Sequence, residues 1–373
     1  MGNKQPVIFH FLCNFIGLQE CCFYKYNINT LKEEIIDLRS DTLTLPTEAM
    51  QSAMQQARLG DDVYREDPTV QQLEQKAADM FGMEAAIFCA SGTMTNQLAI
   101  KAHTHPGDEV ICEKNSHVYM YEAGGIAANS LSSVKLLTGD LGRISADQVQ
   151  SAINNPNDIH LPVSRLVSLE NTANRGGGAY YNFKDIQKIK KVCQDNHLAL
   201  HLDGARLFNA LTETQQTPAD YGEVFDSISI CLSKGLGCPV GSLLLGKTAF
   251  IEKTRRLRKQ MGGGWRQAGV LAAAGIYALD HHILRLKEDH RHALEIAQIV
   301  EQQSFCKELY PVSTNIIIMK TAGISALKLV DAMKQINIYG SVFGEDLVRF
   351  VTHLNIEDQH VDLFEARLKR IAL

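Results

Sequence analysis

A single lysine, Lys234, lies in a glycine-rich turn between two apolar segments that both favour burial. The stretch covers residues 228–246 and reads ISICLSKGLGCPVGSLLLG. In surroundings of low dielectric constant a lysine amine loses affinity for its proton and becomes a nucleophile towards carbonyl groups. Alternatively, only the aliphatic stem is buried and the ammonium group reaches water. The turn by itself is compatible with both interpretations.

Asp203 closes a second apolar segment, LALHLD, and is followed by GAR. A carboxylate at the end of a buried strand can pair with the protonated ring nitrogen of a pyridine cofactor and keep that ring an electron sink. The alternative is an aspartate that caps a turn or forms an ion pair with Arg206. Taken alone, Asp203 does not distinguish between these roles.

The motif SGTMTN, residues 91–96, follows the apolar segment AAIFCA and opens a predicted helix. Backbone N–H groups at a helix N-terminus, together with the hydroxyls of Ser91 and Thr93, would form an anion site suited to a phosphate. The alternative is an ordinary N-cap by serine or threonine.

His117 begins another predicted helix, HVYMYEAGG. An imidazole there could stack on an aromatic ring or move protons near neutral pH, or it could be a helix-start histidine bonded to the backbone. In open α/β sheets ligands bind at the carboxyl ends of strands. In chain order the four motifs provide a phosphate site, a stacking imidazole, a carboxylate for a pyridine nitrogen and a lysine for a Schiff base. This ordered set predicts pyridoxal 5'-phosphate as cofactor.

Strand-length apolar segments alternate with helical patterns from Ile36 onward, which is typical of an α/β protein with a mostly parallel sheet. The predicted strands cover residues 85–90, 109–114, 134–138, 165–171, 198–203, 227–233 and 241–246. The predicted helices cover residues 68–81, 94–103, 117–128, 145–154, 183–196, 248–260 and 266–303. A β-rich tail with a helix near 325–336 follows. We predict an extension outside the fold over 1–35, a large domain over 36–280 and a small α+β C-terminal domain over 281–373.

The composition describes a soluble globular protein. The 373 residues carry a net charge of -5, which does not favour nucleic acid as a partner. The nine cysteines form no CxxC pair and no metal-ligand spacing, so we expect a reduced cytoplasmic protein with no metal site. No apolar run reaches the roughly 18 residues of a membrane span. The first 34 residues hold an apolar run of signal-peptide length but no A-x-A cleavage site.

From Ile36 onward the sequence resembles the low-specificity L-threonine aldolases, which are pyridoxal-phosphate enzymes of the aspartate aminotransferase fold, fold type I. The resemblance covers about nine-tenths of the chain. It rests on stretches in family order: IDLRSDTLTLPT, GDDVYREDPTV, EAAIFCASGTMTNQLA, HVYMYEAGG, DIH, SLENT, LALHLDGARLFNA, SICLSKGLGCPVGSLL, GGGWRQAG and VRFVTHL.

The resemblance implies cleavage of L-threonine or L-allo-threonine to glycine and acetaldehyde. It implies that Lys234 holds the cofactor aldehyde and Asp203 its ring nitrogen. It also implies that the cofactor phosphate is bound by Gly92, Thr93 and Arg266, and that His117 stacks on the cofactor ring. The substrate carboxylate would be bound by Ser40, Arg206 and Arg349, and His160 would lie near the substrate hydroxyl. His117 and His160 are both candidates for the base.

The resemblance further implies a homotetramer built from dimers, in which Tyr64 or Arg266 serves the site of a neighbour. Two positions depart from the family pattern: Leu45 stands where arginine is frequent, and Ala173 where histidine is frequent. Two alternatives stay open, another fold type I enzyme such as a β-eliminating lyase or aminotransferase, and a cofactor-free α/β binding protein.

Overall fold

Three β-sheets, of seven, four and two strands, organise the protein in the computed structural model, which describes residues 34–372. In chain order the strands are β1 (Ile36–Asp37), β2 (Ala85–Cys89), β3 (Glu109–Glu113), β4 (Ser133–Leu137), β5 (Ser164–Glu170), β6 (Ala199–Gly204), β7 (Ser227–Cys231), β8 (Ser242–Gly246), β9 (Cys306–Leu309), β10 (Ile316–Thr321), β11 (Ile338–Tyr339), β12 (Ser341–Val342) and β13 (Leu347–Val351).

The larger sheet has seven strands in the order β2-β8-β7-β6-β5-β3-β4. Strand β8 is antiparallel to β2 and β7, and the remaining neighbours pair in parallel. Every residue of β3, β7 and β8 is buried, as expected for a sheet that helices cover on both faces. The predicted mostly parallel α/β fold is confirmed, and all seven predicted strands lie within two residues of their predicted ends.

Thirteen α-helices occur within residues 34–372, and none of them is long and apolar enough to cross a bilayer. They are α1 (Glu48–Gln55), α2 (Pro68–Phe81), α3 (Gly92–His103), α4 (His117–Met120), α5 (Ala146–Ala152), α6 (Phe183–Asp195), α7 (Leu207–Glu213), α8 (Pro218–Val224), α9 (Thr248–Gln260), α10 (Gly269–His281), α11 (Leu286–Glu301), α12 (Ala326–Gln335) and α13 (Asp358–Leu368).

Helix α2 shows how local sequence sets these bounds. The Asp67 carboxylate accepts hydrogen bonds from the first backbone N–H groups of the helix, and Pro68 occupies the first helical position, where no N–H is needed. Gly82 ends the helix with φ of 60°, in the left-handed region that glycine tolerates. Such signals explain why this helix was predicted with both ends correct.

The four-stranded sheet lies in the C-terminal part of the chain and is antiparallel, in the order β12-β13-β10-β9. Its core includes apolar side chains of α11, α12 and α13. Strand β1 pairs in parallel with β11, and Ile36 joins this C-terminal core. The predicted limits of the two domains stay predictions, and residues 1–33, where most of the predicted extension falls, lie outside the described residues.

Two predicted helices are interrupted. The helix predicted over 117–128 ends at Met120, and a π-helical segment, Ile126–Ser130, follows, because Ala123 and Gly124 take φ of 53° and 71°. The helix predicted over 266–303 splits into α10 and α11 around His282, whose buried ring donates a hydrogen bond to the carbonyl oxygen of Leu236 at 2.8 Å. Apolar periodicity continues through both breaks, so the sequence pattern did not locate them.

Candidate active site

The carboxyl edge of the large sheet brings the predicted cofactor residues together. Asp203 lies near the end of β6, and Lys234 follows β7 by three residues. Strand β2 runs parallel to β7, since both are antiparallel to β8, so helix α3 also begins at this edge. A Cβ atom added to Gly92 would lie 4.0 Å from Cys231 Sγ at the end of β7. The ends of β2, β6 and β7 therefore lie together at one edge of the sheet.

Asp203 is buried, with 2% of its surface exposed. One carboxylate oxygen accepts a hydrogen bond from Asn96 Nδ2 at 2.9 Å and the other from the Ala205 backbone N–H at 3.2 Å. The ion pair with Arg206 that the sequence left open is not formed, because Arg206 pairs with Asp41 instead. A buried carboxylate with only neutral donors has the capacity to bind a ring N–H cation.

Lys234 is half-buried. Its carbonyl oxygen accepts hydrogen bonds from the Thr44 hydroxyl at 2.9 Å and the Gly237 N–H at 2.8 Å, which fix the turn. Within residues 34–372 its ammonium group forms no hydrogen bond and no ion pair. A lysine in this setting is available to a carbonyl compound, so the residues present fit the cofactor aldehyde.

Helix α3 begins at Gly92 with Ser91 as N-cap, and the Ser91 hydroxyl accepts a hydrogen bond from the Met94 N–H. Ser91 is therefore an ordinary N-cap of this helix, which is the alternative that the sequence left open. The N–H groups of Gly92 and Thr93 belong to the first turn, where no intrahelical acceptor exists. They stay available for an anion, and the Ser91 hydroxyl, which accepts the Met94 bond, keeps its own hydrogen to donate.

His117 opens α4 and is tied to two carboxylates. Its backbone N–H donates to Glu170 Oε2 at 2.8 Å, and its ring Nδ1 lies 3.0 Å from Glu122 Oε1. Burial opposes protonation of the ring, but the Glu122 hydrogen bond and the Asp203 charge raise the pKa of His117 above its ordinary value. One nitrogen or oxygen atom from each of His117, Glu122 and Asp203 lies within 4.8 Å of the other two. Hydrogen bonds link His117 to Glu122 and, through Asn96, Glu122 to Asp203.

Two arginines place positive charge beside this edge. Arg206 forms a bidentate pair with Asp41, with both distances 2.7 Å, and both side chains are buried. Burial would raise the pKa of Asp41, but Arg206 holds it well below its usual range.

Within the described part of the chain, Arg349 forms no ion pair with a carboxylate. It donates to Asn174 Oδ1 at 2.7 Å and to the Arg39 carbonyl at 3.0 Å, while its buried Nε has no partner. Burial and the charge of Arg206 lower the pKa of Arg349 to about 10. The guanidinium group is therefore under-compensated, and a bound carboxylate would relieve it.

Besides Arg206, three predicted site residues are bonded to other groups in this chain. Ser40 caps the 3-10 helix Asp41–Leu43, its hydroxyl accepting a hydrogen bond from the Thr42 N–H at 3.2 Å. Arg266 is 54% exposed and pairs with Asp61 at 3.0 Å.

His160 is the third of these residues. Its side chain is 85% exposed and its ring bonds to Asp158 at 2.9 Å. It precedes β5 by four residues, so it lies towards the amino edge of the sheet, opposite the edge that carries Asp203. The roles assigned to Ser40, Arg266 and His160 stay predictions.

Several residues of this edge were missed from the sequence: Asn96, Glu122, Glu170, Asp41, Asn174 and Arg175. Arg175 is the most distinctive, since it donates to the Tyr121 hydroxyl and the Phe343 carbonyl and lies 3.9 Å from the centre of the Phe343 ring. The only available signal was position: Glu122 follows His117 by five residues, and Asn96 lies in the SGTMTN motif. Of the two departures, Ala173 is buried and Leu45 is 68% exposed.

A mostly parallel sheet whose carboxyl edge carries an unpartnered lysine and a buried aspartate defines a pyridoxal-phosphate enzyme of fold type I. The chain belongs to the beta-eliminating lyase family, which it matches over residues 37–323. The protein is thus a pyridoxal-phosphate-dependent lyase.

Relatives and solved structures agree with this assignment. The chain is 40% identical over 328 residues to the low specificity L-threonine aldolase of Escherichia coli strain K12, covering 88% of this chain and 96% of that protein. It is 40% identical over 285 residues to the low specificity L-threonine aldolase of Saccharomyces cerevisiae, covering 75% and 73%. The structure of Leishmania major threonine aldolase matches with a TM-score of 0.78 at 20% identity, covering 90% and 100%, which supports the fold.

Proposed function

We propose that the protein cleaves L-threonine, L-allo-threonine and related β-hydroxy-α-amino acids to glycine and an aldehyde. The observation that carries this proposal is the under-compensated guanidinium group of Arg349, which is half-buried, has a buried Nε without a partner and lies close enough to Arg206 for the two charges to interact. Such a pair suits the α-carboxylate of an amino acid beside the Lys234 and Asp203 edge. The choice of an aldol cleavage is supported by the 40% identity to enzymes of that name.

The residues that would hold the cofactor are Lys234 at its aldehyde, Asp203 at its ring nitrogen, His117 on its ring, and Gly92, Thr93 and Arg266 at its phosphate. When bound, pyridoxal phosphate accepts the electron pair released when a bond at the substrate Cα breaks. The chain supplies orientation and proton transfer for that step.

Orientation depends on the substrate carboxylate. Ser40, Arg206 and Arg349 would bind it and thereby decide which of the bonds at Cα is aligned for cleavage. A base must take the proton of the β-hydroxyl as the Cα–Cβ bond breaks, because the oxygen becomes the carbonyl oxygen of the aldehyde. Of the two predicted bases, His117 lies at the edge that carries Asp203 and is the proposed base, whereas His160 lies towards the opposite edge of the sheet. The electron pair of the broken bond would be delocalised into the cofactor, and a proton added at Cα then gives glycine.

The test is product analysis with the purified, cofactor-loaded protein. We expect L-threonine or L-allo-threonine to yield acetaldehyde and glycine in equal amounts, with acetaldehyde measured by a coupled alcohol dehydrogenase and glycine by chromatography. Lys234→Ala is the negative control, because it removes the amine. A keto acid with free ammonia would support the rival β-eliminating activity, and a keto acid whose amino group has passed to an acceptor keto acid would support transamination. Either result without glycine would contradict the proposal.

We also propose a cytoplasmic homotetramer assembled from dimers, acting in threonine catabolism and glycine formation. The six cysteines within residues 34–372 are free thiols, which suits a reducing compartment. Arg266 pairs with Asp61 at the surface and Tyr64 is 72% exposed, which suits a role at a neighbouring site.

Co-expression of Lys234→Ala with Arg266→Ala tests the shared site. Hybrid oligomers regain activity only if Arg266 serves a neighbour, because one of their sites then has both wild-type residues. Mass photometry reports the oligomeric state, and a monomeric, fully active enzyme would contradict the tetramer.

A further inference from the structure

Glu122 is a buried carboxylate directly behind His117. We propose that Glu122 is a positioning residue that holds the His117 ring in one orientation with the proton on Nδ1, and so leaves Nε2 free for proton transfer. The inference rests on the proposed function only in assigning His117 a part in the reaction. Glu122 itself need not touch the substrate or cofactor.

The contacts of Glu122 fix the tautomer of His117. The side chain of Glu122 is 0% exposed, and its Oε1 lies 3.0 Å from His117 Nδ1. An ionised carboxylate only accepts hydrogen bonds, so Nδ1 carries the proton. Glu122 Oε2 accepts from Gln97 Nε2 at 2.5 Å, and Gln97 Oε1 accepts from Asn129 Nδ2 at 3.2 Å, which fixes the orientation of Gln97.

Asn96 links Glu122 to Asp203, the carboxylate proposed to bind the cofactor ring nitrogen. Its Nδ2 lies 2.9 Å from Glu122 Oε1 and 2.9 Å from Asp203 Oδ2, so each of its two hydrogens serves one carboxylate. The donor set around Glu122 is then three N–H groups, from His117, Asn96 and Gln97. Each of these groups donates, so the Glu122 carboxylate is the acceptor in all three hydrogen bonds.

A chain of hydrogen bonds through His201, Ser227 and His103 fixes the orientation of the Asn96 amide. Its Oδ1 lies 3.1 Å from His201 Nε2, which must donate. Burial lowers the pKa of His201 to about 4, so this ring is neutral and its Nδ1 accepts from the Ser227 hydroxyl at 2.8 Å. The Ser227 oxygen in turn accepts from His103 Nε2 at 2.9 Å. Reversing the Asn96 amide would turn its oxygen towards two carboxylates and break this chain, so one arrangement is strongly favoured.

Electrostatics support the same assignment. The charged groups that act on the His117 ring are Glu122, Asp203 and Glu170, which favour its protonated form, and Lys234, which opposes it. The Glu170 carboxylate binds the backbone N–H of His117. Because Glu122 contacts the ring directly, removing its charge lowers the pKa of His117 and frees the ring to rotate or exchange tautomers.

The experiment compares Glu122→Gln with wild type in full-length, cofactor-loaded protein labelled in its histidine rings. The chain has 13 histidines, so the His117 signals are identified by their loss in His117→Asn. In wild type we expect the neutral ring to carry its proton on Nδ1. In Glu122→Gln we expect a mixture of tautomers and a lower pKa of His117. Glu74→Gln is the matched control, since it removes another buried carboxylate, which binds Arg255 away from His117.

Activity provides the second measurement. We expect Glu122→Gln to lower kcat/KM about tenfold or more, with the acidic limb of the pH profile moved to lower pH, and Glu122→Asp to restore part of the loss. An unchanged His117 titration in Glu122→Gln overturns the proposal. A wild-type ring with its proton on Nε2 overturns it even if no variant folds. If the ring behaves as expected but no glycine forms, only the proposed function fails.

Discussion

His201 is a buried base whose titration should make the protein lose stability in mild acid. Burial lowers the pKa of His201 from its ordinary 6.5 to about 4, against the smaller opposing effects of Asp203 and the hydrogen bond with Ser227. Between these two values the unfolded chain binds a proton that the folded protein does not. The neutral His201 ring therefore contributes to the free energy of unfolding at pH 7, and this contribution is lost as the pH falls from 6.5 to about 4.

The size of this loss of stability follows from the shift in the pKa of His201. One pKa unit corresponds to about 1.4 kcal/mol, so the shift is worth about 3 kcal/mol in total, of which about 2 kcal/mol is lost between pH 7 and pH 5. His201→Gln removes the titrating group while its amide can still donate to Asn96. The variant should lack this part of the pH dependence.

The assay is urea unfolding of the full chain at pH 7 and pH 5. Between pH 7 and pH 5 we expect the free energy of unfolding to fall by about 2 kcal/mol more in the wild type than in His201→Gln. Groups that titrate alike in both proteins cancel in this comparison. His160→Gln, which replaces an exposed ring, is the control and should behave as wild type. Equal losses for wild type and His201→Gln would refute a neutral, buried His201 and weaken the argument for a fixed Asn96.

Four further substitutions test the site and its supports. Lys234→Ala should abolish both turnover and the visible absorbance of bound cofactor, and a coloured, active variant would exclude its role. Asp203→Ala should lower kcat by about a hundredfold or more in the aldehyde assay, because the carboxylate for the ring nitrogen is gone. Arg349→Gln should raise KM for L-threonine about tenfold or more by loss of charged hydrogen bonds, whereas an unchanged KM would place the substrate carboxylate elsewhere. Asp41→Asn should lower the free energy of unfolding in urea by about 3 to 5 kcal/mol, because Arg206 keeps a buried charge without its partner.

The elements of the large sheet were predictable because their signals are local. Each strand is an apolar run bounded by polar or glycine-rich turns, and α2 carries both of its capping residues in its own sequence. The convergence of Lys234, Asp203 and Gly92 also followed, since the carboxyl ends of parallel strands share an edge. The helix breaks at Ala123 and His282 were not predictable from the sequence. The first depends on a backbone conformation and the second on a side chain that bonds a distant carbonyl group.

The sequence by itself determined the α/β class, the family resemblance and the ordered set of motifs, since these depend on residue type and spacing along one segment. Only the tertiary structure decided the partners: Arg206 with Asp41, Asp203 with Asn96, and His117 with Glu122. Buried polar groups need hydrogen-bond partners, and which ones they find depends on strand register and helix packing over separations of 5 to 165 residues. The protonation of the site is therefore a property of the folded protein.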